Sequence, residues 1–165
     1  MTLPDDARLW LFAFDGNPAA LLPDVEAFCS GWTSHGRPVR AEAEVFAGRV
    51  LAVAALISEA DVNAGVSGCG IDAMQHAVEE AAARHGITLT PALAVTVRDA
   101  SGAWTSLTRA DVRARVASGE IGPETRVLDL TATTVGALRA AGGAERLTGE
   151  SWHAAAFGIR GGTLA

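Results

Sequence analysis

A cysteine beside a predicted helix start is the residue of this sequence best suited to chemistry. Cys69 lies in the segment SGCGID, where a glycine-rich loop over residues 58–70 leads into a predicted helix. Unpaired backbone N–H groups and the helix dipole at such a position lower the pKa of a thiol. The spacing therefore predicts a thiolate at Cys69, and a thiolate is a nucleophile.

Two more polar residues share a helix face with this cysteine. At about 100° per residue, Asp72 and His76 fall within about 60° of Cys69, whereas Met74 and Val78 point to the opposite side. The rise from Cys69 to His76 is about 10 Å, which is too long for a hydrogen bond. We therefore expect Asp72 to pair with His76, and a base for Cys69 to come from another segment.

The loop before this helix has residues suited to binding an anion or a small molecule. Asn63, Ser67 and Gly68 supply polar side chains and backbone N–H donors at the predicted helix start. A simpler interpretation stays open, in which the polar face is only solvated, Cys69 is a small residue at a tight turn and Asp72 is a favourable first-turn acid.

Histidines from two distant segments are candidates to meet Cys69 as proton carriers or ligand contacts. His35 lies in WTSHG, at the predicted end of the first helix, and Trp152 and His153 lie in GESWH near the chain end. We expect His35, His153 and Cys69 to share one pocket, with Trp152 as a ligand contact. The alternatives are that His35 only favours a helix C-terminus and that Trp152 only anchors the chain.

The sequence predicts neither a metal nor a cofactor. Cys29, His35, Cys69 and His153 could supply four zinc ligands, but Cys29 and His35 lack a zinc-finger spacing and Cys29 falls beside an apolar helix face. The motifs GxSxG, HExxH, GxGxxG and CxxC are absent, so hydrolases with a nucleophile elbow, zincins, dinucleotide-binding folds and thioredoxin-type redox proteins lack their usual marks.

Composition excludes several classes of protein. The 165 residues predict one domain, with a core over about 8–98, an extension over about 99–157 and a loose tail over 158–165. All thirteen basic residues are arginines, so the chain lacks the lysine that a P-loop nucleotide hydrolase needs. The net charge of −6 argues against nucleic acid as a binding partner. No apolar run approaches the roughly 18 residues of a membrane span, and no secretory signal precedes the first strand, so we expect a cytoplasmic protein with reduced cysteines.

The order of predicted elements indicates an α+β protein. Up to residue 97 the patterns predict strand, helix, strand, strand, helix and strand, the βαββαβ order of a ferredoxin-like sandwich with an antiparallel sheet. A C-terminal helix, strand and helix should then pack on this core or extend its sheet. The predicted segments are Arg8–Phe14, Pro23–His35, Val39–Phe46, Arg49–Ile57, Ile71–His85, Leu93–Val97, Thr108–Ser118, Thr125–Leu130 and Thr133–Ala141.

Five stretches resemble a small bacterial family that is often labelled "ABC transporter ATPase" and has no established activity. They are RLWLF, FCSGWTSHG, VNAGVSGCGID, SGEIGPETRV and SWH, and the likeness covers nearly the whole chain. Members more often carry Ser where this chain has Gly70. The label lacks support here, since the chain has neither a Walker lysine nor an ABC signature. The resemblance implies one site built from three distant segments, with matches at Cys69, Asp72, His76, His35, Trp152 and His153.

Two functions from different classes are compatible with these residues. The first is a small-molecule or anion site at the start of the second helix, centred on Cys69 as a candidate nucleophile. The second is a non-catalytic protein-interaction module, in which a sheet edge or the Trp-bearing tail binds a partner chain and Cys69 is structural. Neither hypothesis predicts a membrane or a nucleic acid as partner.

Overall fold

The computed structural model describes residues 1–57 and 66–159. The strands are β1 (Arg8–Ala13), β2 (Thr33–Ser34), β3 (Arg37–Phe46), β4 (Val50–Ile57), β5 (Val95–Arg98), β6 (Trp104–Leu107), β7 (Arg126–Leu128) and β8 (Glu145–Leu147). The helices are α1 (Leu22–Gly31), α2 (Gly68–His85), α3 (Arg109–Ala117), α4 (Val135–Ala140) and α5 (Trp152–Phe157). Short 3-10 turns cover Pro18–Leu21 and Thr148–Glu150.

The strands form two antiparallel sheets, which together with the helices make an α+β protein. The first sheet has the order β1-β4-β3-β2 and the second has the order β6-β5-β7-β8. The strand predicted at Leu93–Val97 is β5, and it pairs with β6 and β7 in the second sheet. Next to β1, the segment after α2 contributes an isolated bridge between Phe14 and Leu89. The α+β class is confirmed, whereas the ferredoxin-like sandwich with one four-stranded sheet is not.

Strand β4 is the centre of the molecule. Its residues Leu51 and Val53 belong to a core that includes apolar residues of α1 and α2, and Val50 and Ala52 belong to a core on the other face of the sheet. All four side chains are fully buried. The nearly continuous apolar run predicted a central strand paired with the one before it, and the register from Phe46–Val50 onward confirms that pairing.

The second half of the chain packs on the first sheet. Leu9 of β1 and Ala52 of β4 share a core with Leu128 of β7 and with Val135 and Leu138 of α4. A third core lies between the second sheet and the helices α3 and α5. The C-terminal elements therefore both cover the first sheet, as expected, and build a sheet of their own.

Helix α2 is the longest helix and its ends follow ordinary capping rules. Ser67 is the N-cap, and Gly86 has the left-handed conformation of a C-cap with φ of 63°. Its buried residues include Met74 and Val78, which confirms the predicted apolar face. In the described residues no helix combines the length and the apolar character that a membrane crossing needs.

Two side chains at the end of α2 join it to the start of α1. His85 Nε2 lies 2.9 Å from Asp24 Oδ2, and Arg84 donates to Asp24 Oδ1 at 2.8 Å. The hydrogen bond from His85, together with the charge of Arg84, holds the pKa of Asp24 below its ordinary value. This contact fixes the two helices antiparallel beside each other, so the N-terminus of α2 lies near the C-terminus of α1.

Candidate functional site

His35 lies in a tight hairpin turn between β2 and β3. Ser34 pairs with Arg37, and the two residues between them, His35 and Gly36, have positive φ angles of 52° and 75°. Positive φ at both central positions is the mark of a type I′ turn, which matches the twist of the flanking strands. The prediction that His35 ends the first helix is wrong, because α1 ends at Gly31 and a two-residue strand intervenes.

Two serines join this hairpin to the N-terminus of α2. Ser67 N donates to Ser34 Oγ at 3.1 Å, and Ser34 Oγ donates to Ser67 Oγ at 3.3 Å. Ser67 Oγ also accepts from Gly70 N at 3.1 Å, as an N-cap does. We call Ser34 and Ser67, with the two hydrogen bonds between them, the serine latch. It gives Ser67 a structural task, and it fixes the hairpin tip beside the first turn of α2. The ligand contact predicted for Ser67 stays a prediction.

The latch brings His35 and Cys69 to the rim of one open depression of about 490 Å³. Cys69 is exposed, as its prediction as a reactive thiol requires. The depression is lined by residues from the end of α1, the hairpin and the first turns of α2: Phe28, Gly31, Trp32, Thr33, His35, Ser67, Cys69, Gly70 and Ala73. The base expected from another segment therefore has one candidate here, the imidazole of His35.

Trp32 forms part of the depression, and its indole nitrogen has no partner in the described part of the chain. Its side chain is 4% exposed and packs on Phe28 and Trp10, with ring centroids 5.2 and 6.1 Å away. The buried indole Nε1 has no acceptor among the described residues. A Cβ built on Gly70 would lie 3.2 Å from this nitrogen, so only a hydrogen of Gly70 separates it from the first turn of α2. In the sequence, Trp32 continues the apolar face that Val25 and Phe28 form at helical spacing, which predicts burial but no role in a site.

The first turn of α2 has further donors. Ser67 satisfies the amides of Gly70, through its side chain, and of Ile71, through its carbonyl. The amide N–H groups of Gly68 and Cys69 have no acceptor among residues 1–57 and 66–159. N–H groups that have no acceptor within their helix attract negative charge at a helix start.

Two predicted residues of α2 lie outside the depression. Asp72 and His76 are exposed and are not part of its lining. His76 Nε2 lies 3.1 Å from Glu80 Oε1, one turn further along the helix. The expected pair of Asp72 with His76 is therefore corrected to a pair of His76 with Glu80, a spacing at which side chains on one helix face meet.

His153 is buried in the other half of the molecule. Its Nδ1 lies 2.9 Å from Ser151 Oγ, and its ring stacks on the half-exposed Trp152 with centroids 3.9 Å apart. Burial outweighs the nearby charge of Asp129 and lowers the pKa of His153 to about 4. Neither His153 nor Trp152 lines the depression with Cys69, so the expected pocket holds His35 and Cys69 but not His153.

The remaining predictions concern Asn63 and the four residues considered as zinc ligands. Asn63 lies outside the described residues. Cys29 is buried in α1, and desolvation, assisted by Glu26, raises its pKa to about 11. The part of the chain that the structure describes has no group of three or more His, Cys, Asp and Glu side chains that could hold a metal ion. The four residues weighed as zinc ligands are dispersed over α1, the hairpin, α2 and α5.

Comparisons with protein-family models, with curated proteins and with solved structures each give no match for this chain. The resemblance to the bacterial family named above stays a prediction.

Proposed function

We propose that the protein binds a small molecule in the depression at the N-terminus of α2, and that Cys69 acts there as a nucleophile with His35 as its base. The observation that carries the proposal is that these two side chains, 34 positions apart in the sequence, line the same depression. The serine latch supports it, because two hydrogen bonds hold the hairpin that bears His35 against the helix that bears Cys69.

The chemistry follows from the residue types. A neutral imidazole accepts the proton of the Cys69 thiol, and the partial positive charge of the helix start stabilises the resulting thiolate. The imidazolium of His35 then balances the thiolate charge. We assign no catalytic role to Asp72, His76 or His153, since none of them lines the depression. Because a thiol stays reduced in a reducing compartment, we also propose that the protein is located in the cytoplasm.

The first sheet supports a limited form of the ferredoxin-like interpretation. Its order β1-β4-β3 and the shared core of α1 and α2 on one face correspond to the first βαββα elements of that fold. We propose this relationship for residues 8–90 alone, with the bridge at Leu89 in place of the fourth strand.

Alkylation of Cys69 by iodoacetamide tests the function directly. In the native protein we expect Cys69 to be labelled rapidly at pH 7, and His35→Asn to slow labelling about tenfold or more, because general-base assistance contributes at least that much. Asn suits a type I′ turn, so this variant keeps the hairpin. His76→Asn is the matched control and should leave the rate unchanged.

The outcomes separate the two classes of function. If Cys69 is labelled no faster than an ordinary exposed thiol and His35→Asn does not change the rate, the proposed role of Cys69 as a nucleophile is excluded. The alternative of an interaction module then gains support from the exposed indole of Trp152, which is 41% accessible on α5.

A further inference from the structure

The outer edge of β1, which faces away from β4, is hydrogen-bonded at both ends but not in its middle. At one end Leu9 N donates to Thr133 O at 2.9 Å, and at the other end Thr90 N donates to Ala13 O at 2.8 Å. Backbone groups of alternate residues point to the same edge of a strand, so those of Leu11 point outward as well. Among the described residues, the N–H and C=O groups of Leu11 have no backbone partner. A donor and an acceptor therefore lie side by side on this edge.

The gap between the two paired ends is short. Both flanking segments run antiparallel to β1, and their registers place Thr90 opposite residue 13 and Thr133 opposite residue 9. Positions 10, 11 and 12 lie between these pairs, and no described segment pairs with them on this edge. Three residues of an extended chain span about 10 Å. The gap therefore suits a molecule about three residues long rather than a continuous strand.

A cavity of about 200 Å³ lies along this gap. Leu11 and Ala13 line it from β1, and Leu128 and Leu130 line it from the end of β7 and the segment that follows. Leu11 and Leu128 also contact the core between the two halves of the chain, so the cavity lies on that face of the first sheet. It shares no lining residue with the depression that holds Cys69. The cavity thus combines an apolar lining with the backbone groups of Leu11.

The side chains of the lining favour a neutral ligand. None of the lining residues is Asp, Glu, Arg or His. The two hydroxyl groups of the lining already have partners, since Thr90 Oγ1 donates to Asp15 Oδ1 at 3.3 Å and Thr96 Oγ1 lies 3.1 Å from Ser106 Oγ. A charged ligand would lose hydration without gaining an opposite charge. A secondary amide is neutral and offers one donor and one acceptor, as the edge at Leu11 does.

We propose that this cavity is a second ligand site, which binds a small N-acyl amino acid amide with an apolar side chain. The N–H of that amino acid donates to Leu11 O, and its C=O accepts from Leu11 N, as in one residue pair of an antiparallel sheet. Residues opposite each other in such a pair point to the same face, so the apolar side chain enters the cavity beside Leu128 and Leu130. The site does not depend on the reactivity of Cys69.

An NMR titration with N-acetyl-leucine methylamide tests the site on the native protein. We expect the Leu11 amide resonance to shift and its hydrogen exchange to slow, whereas the Phe12 amide, which faces β4, should change little. The matched control carries a methyl group on the leucine nitrogen, so it cannot donate to Leu11 O and should bind about tenfold more weakly or worse. The glycine analogue lacks the apolar side chain and should also lose about tenfold in affinity or more.

A pair of variants tests the position of the ligand. Ala94 lines the cavity, so Ala94→Leu should fill part of it and weaken binding about tenfold. Leu93→Ala is the control, because Leu93 is 74% exposed and does not line the cavity. The ligand series remains decisive if Ala94→Leu does not fold.

Three results would overturn the proposal. The first is equal affinity for N-acetyl-leucine methylamide and its N-methylated analogue. The second is a Leu11 amide that exchanges slowly in the free protein or does not shift in the titration. The third is about tenfold tighter binding of a longer peptide, with leucine between flanking alanines, because the site would then accept a continuous chain rather than a small amide.

Discussion

The two cysteines of this chain show how position decides what a thiol can do. Cys29 lies on the buried side of α1, and desolvation raises its pKa to about 11, so it stays a thiol at neutral pH. Cys69 is exposed in the first turn of α2 and shares its depression with His35. Alkylation of the native protein therefore has an internal control, since Cys29 should remain unlabelled while Cys69 reacts.

Gly70 permits a test of the unpaired indole of Trp32. Gly70→Ala and Gly70→Ser add the same Cβ, which would lie 3.2 Å from Trp32 Nε1, so both variants crowd the first turn of α2 equally. Only serine adds an oxygen that can accept from the indole N–H. We expect Gly70→Ser to be more stable than Gly70→Ala by about 1 kcal/mol, measured by urea denaturation. If the alanine variant is as stable or more stable, the indole already has its hydrogen-bonding requirement met.

At the scale of elements, the serine latch decides the shape of the site. Ser34 is buried, and its hydroxyl accepts from the amide of Ser67. Ser34→Ala leaves that amide without its acceptor, so we expect the free energy of unfolding to fall by about 1 to 3 kcal/mol. Ser30→Ala is the control: Ser30 Oγ donates to Glu26 O on the exposed side of α1, and its loss should change stability by less than about 0.5 kcal/mol. If the two variants lose the same free energy of unfolding, the hydrogen bonds of the serine latch stabilise the protein no more than an exposed hydroxyl contact does.

The elements with strong periodicity could be predicted from the sequence, and the short ones could not. Strands β1, β3 and β4 and helix α2 follow apolar patterns over six or more residues. Strand β2 has two residues and no period, so the sequence pattern places His35 at the end of a helix, whereas the structure places it in a type I′ turn. The partner of β5 depends on packing between distant segments, which a local pattern does not contain.

The same distinction applies to the candidate site. The type and position of Cys69 were sufficient to predict an exposed thiol at a helix start. Its neighbour His35 could only be proposed, because the latch that brings the two segments together joins Ser34 to Ser67, and serines in loops carry no distinctive spacing. The unpaired nitrogen of Trp32 had no signal in the sequence, since an apolar helix face predicts burial without saying whether the indole N–H finds an acceptor.

At the scale of the whole molecule, His153 links stability to pH. Its pKa is about 4 in the folded protein, below the ordinary value of 6.5, so between these values the unfolded chain binds a proton that the folded one does not. Stability must therefore fall as the pH falls through this window, by up to about 3 kcal/mol in total, and His153 contributes no pH dependence above it. The variant His153→Asn retains a donor for Ser151 Oγ. We expect its denaturation midpoint to change less between pH 7 and pH 4.5 than the midpoint of the wild type does. If the midpoints of the variant and the wild type change equally between these pH values, burial of His153 does not lower its pKa.

Apolar residues from the two halves of the chain pack in one shared core, and hydrogen bonds also join the halves. Arg49, at the β3–β4 turn, donates to the carbonyls of Phe14 and Trp104, and Trp104 Nε1 donates to the carbonyl of Ala47. These bonds join the first sheet to the second. The depression with Cys69 lies on the opposite face of the first sheet, where α1 and α2 pack. The C-terminal half therefore supports the sheet that holds the site without lining it.

The most direct test of the central claim, that the latch makes a working pair of His35 and Cys69, is a double-mutant cycle on the alkylation rate of Cys69. Ser34→Ala should slow alkylation because it releases the hairpin that carries His35, and His35→Asn should slow it about tenfold or more. If the latch acts through His35, Ser34→Ala has no further effect in the His35→Asn background. Effects that multiply independently, or single variants that label as fast as the wild type, would contradict the pairing.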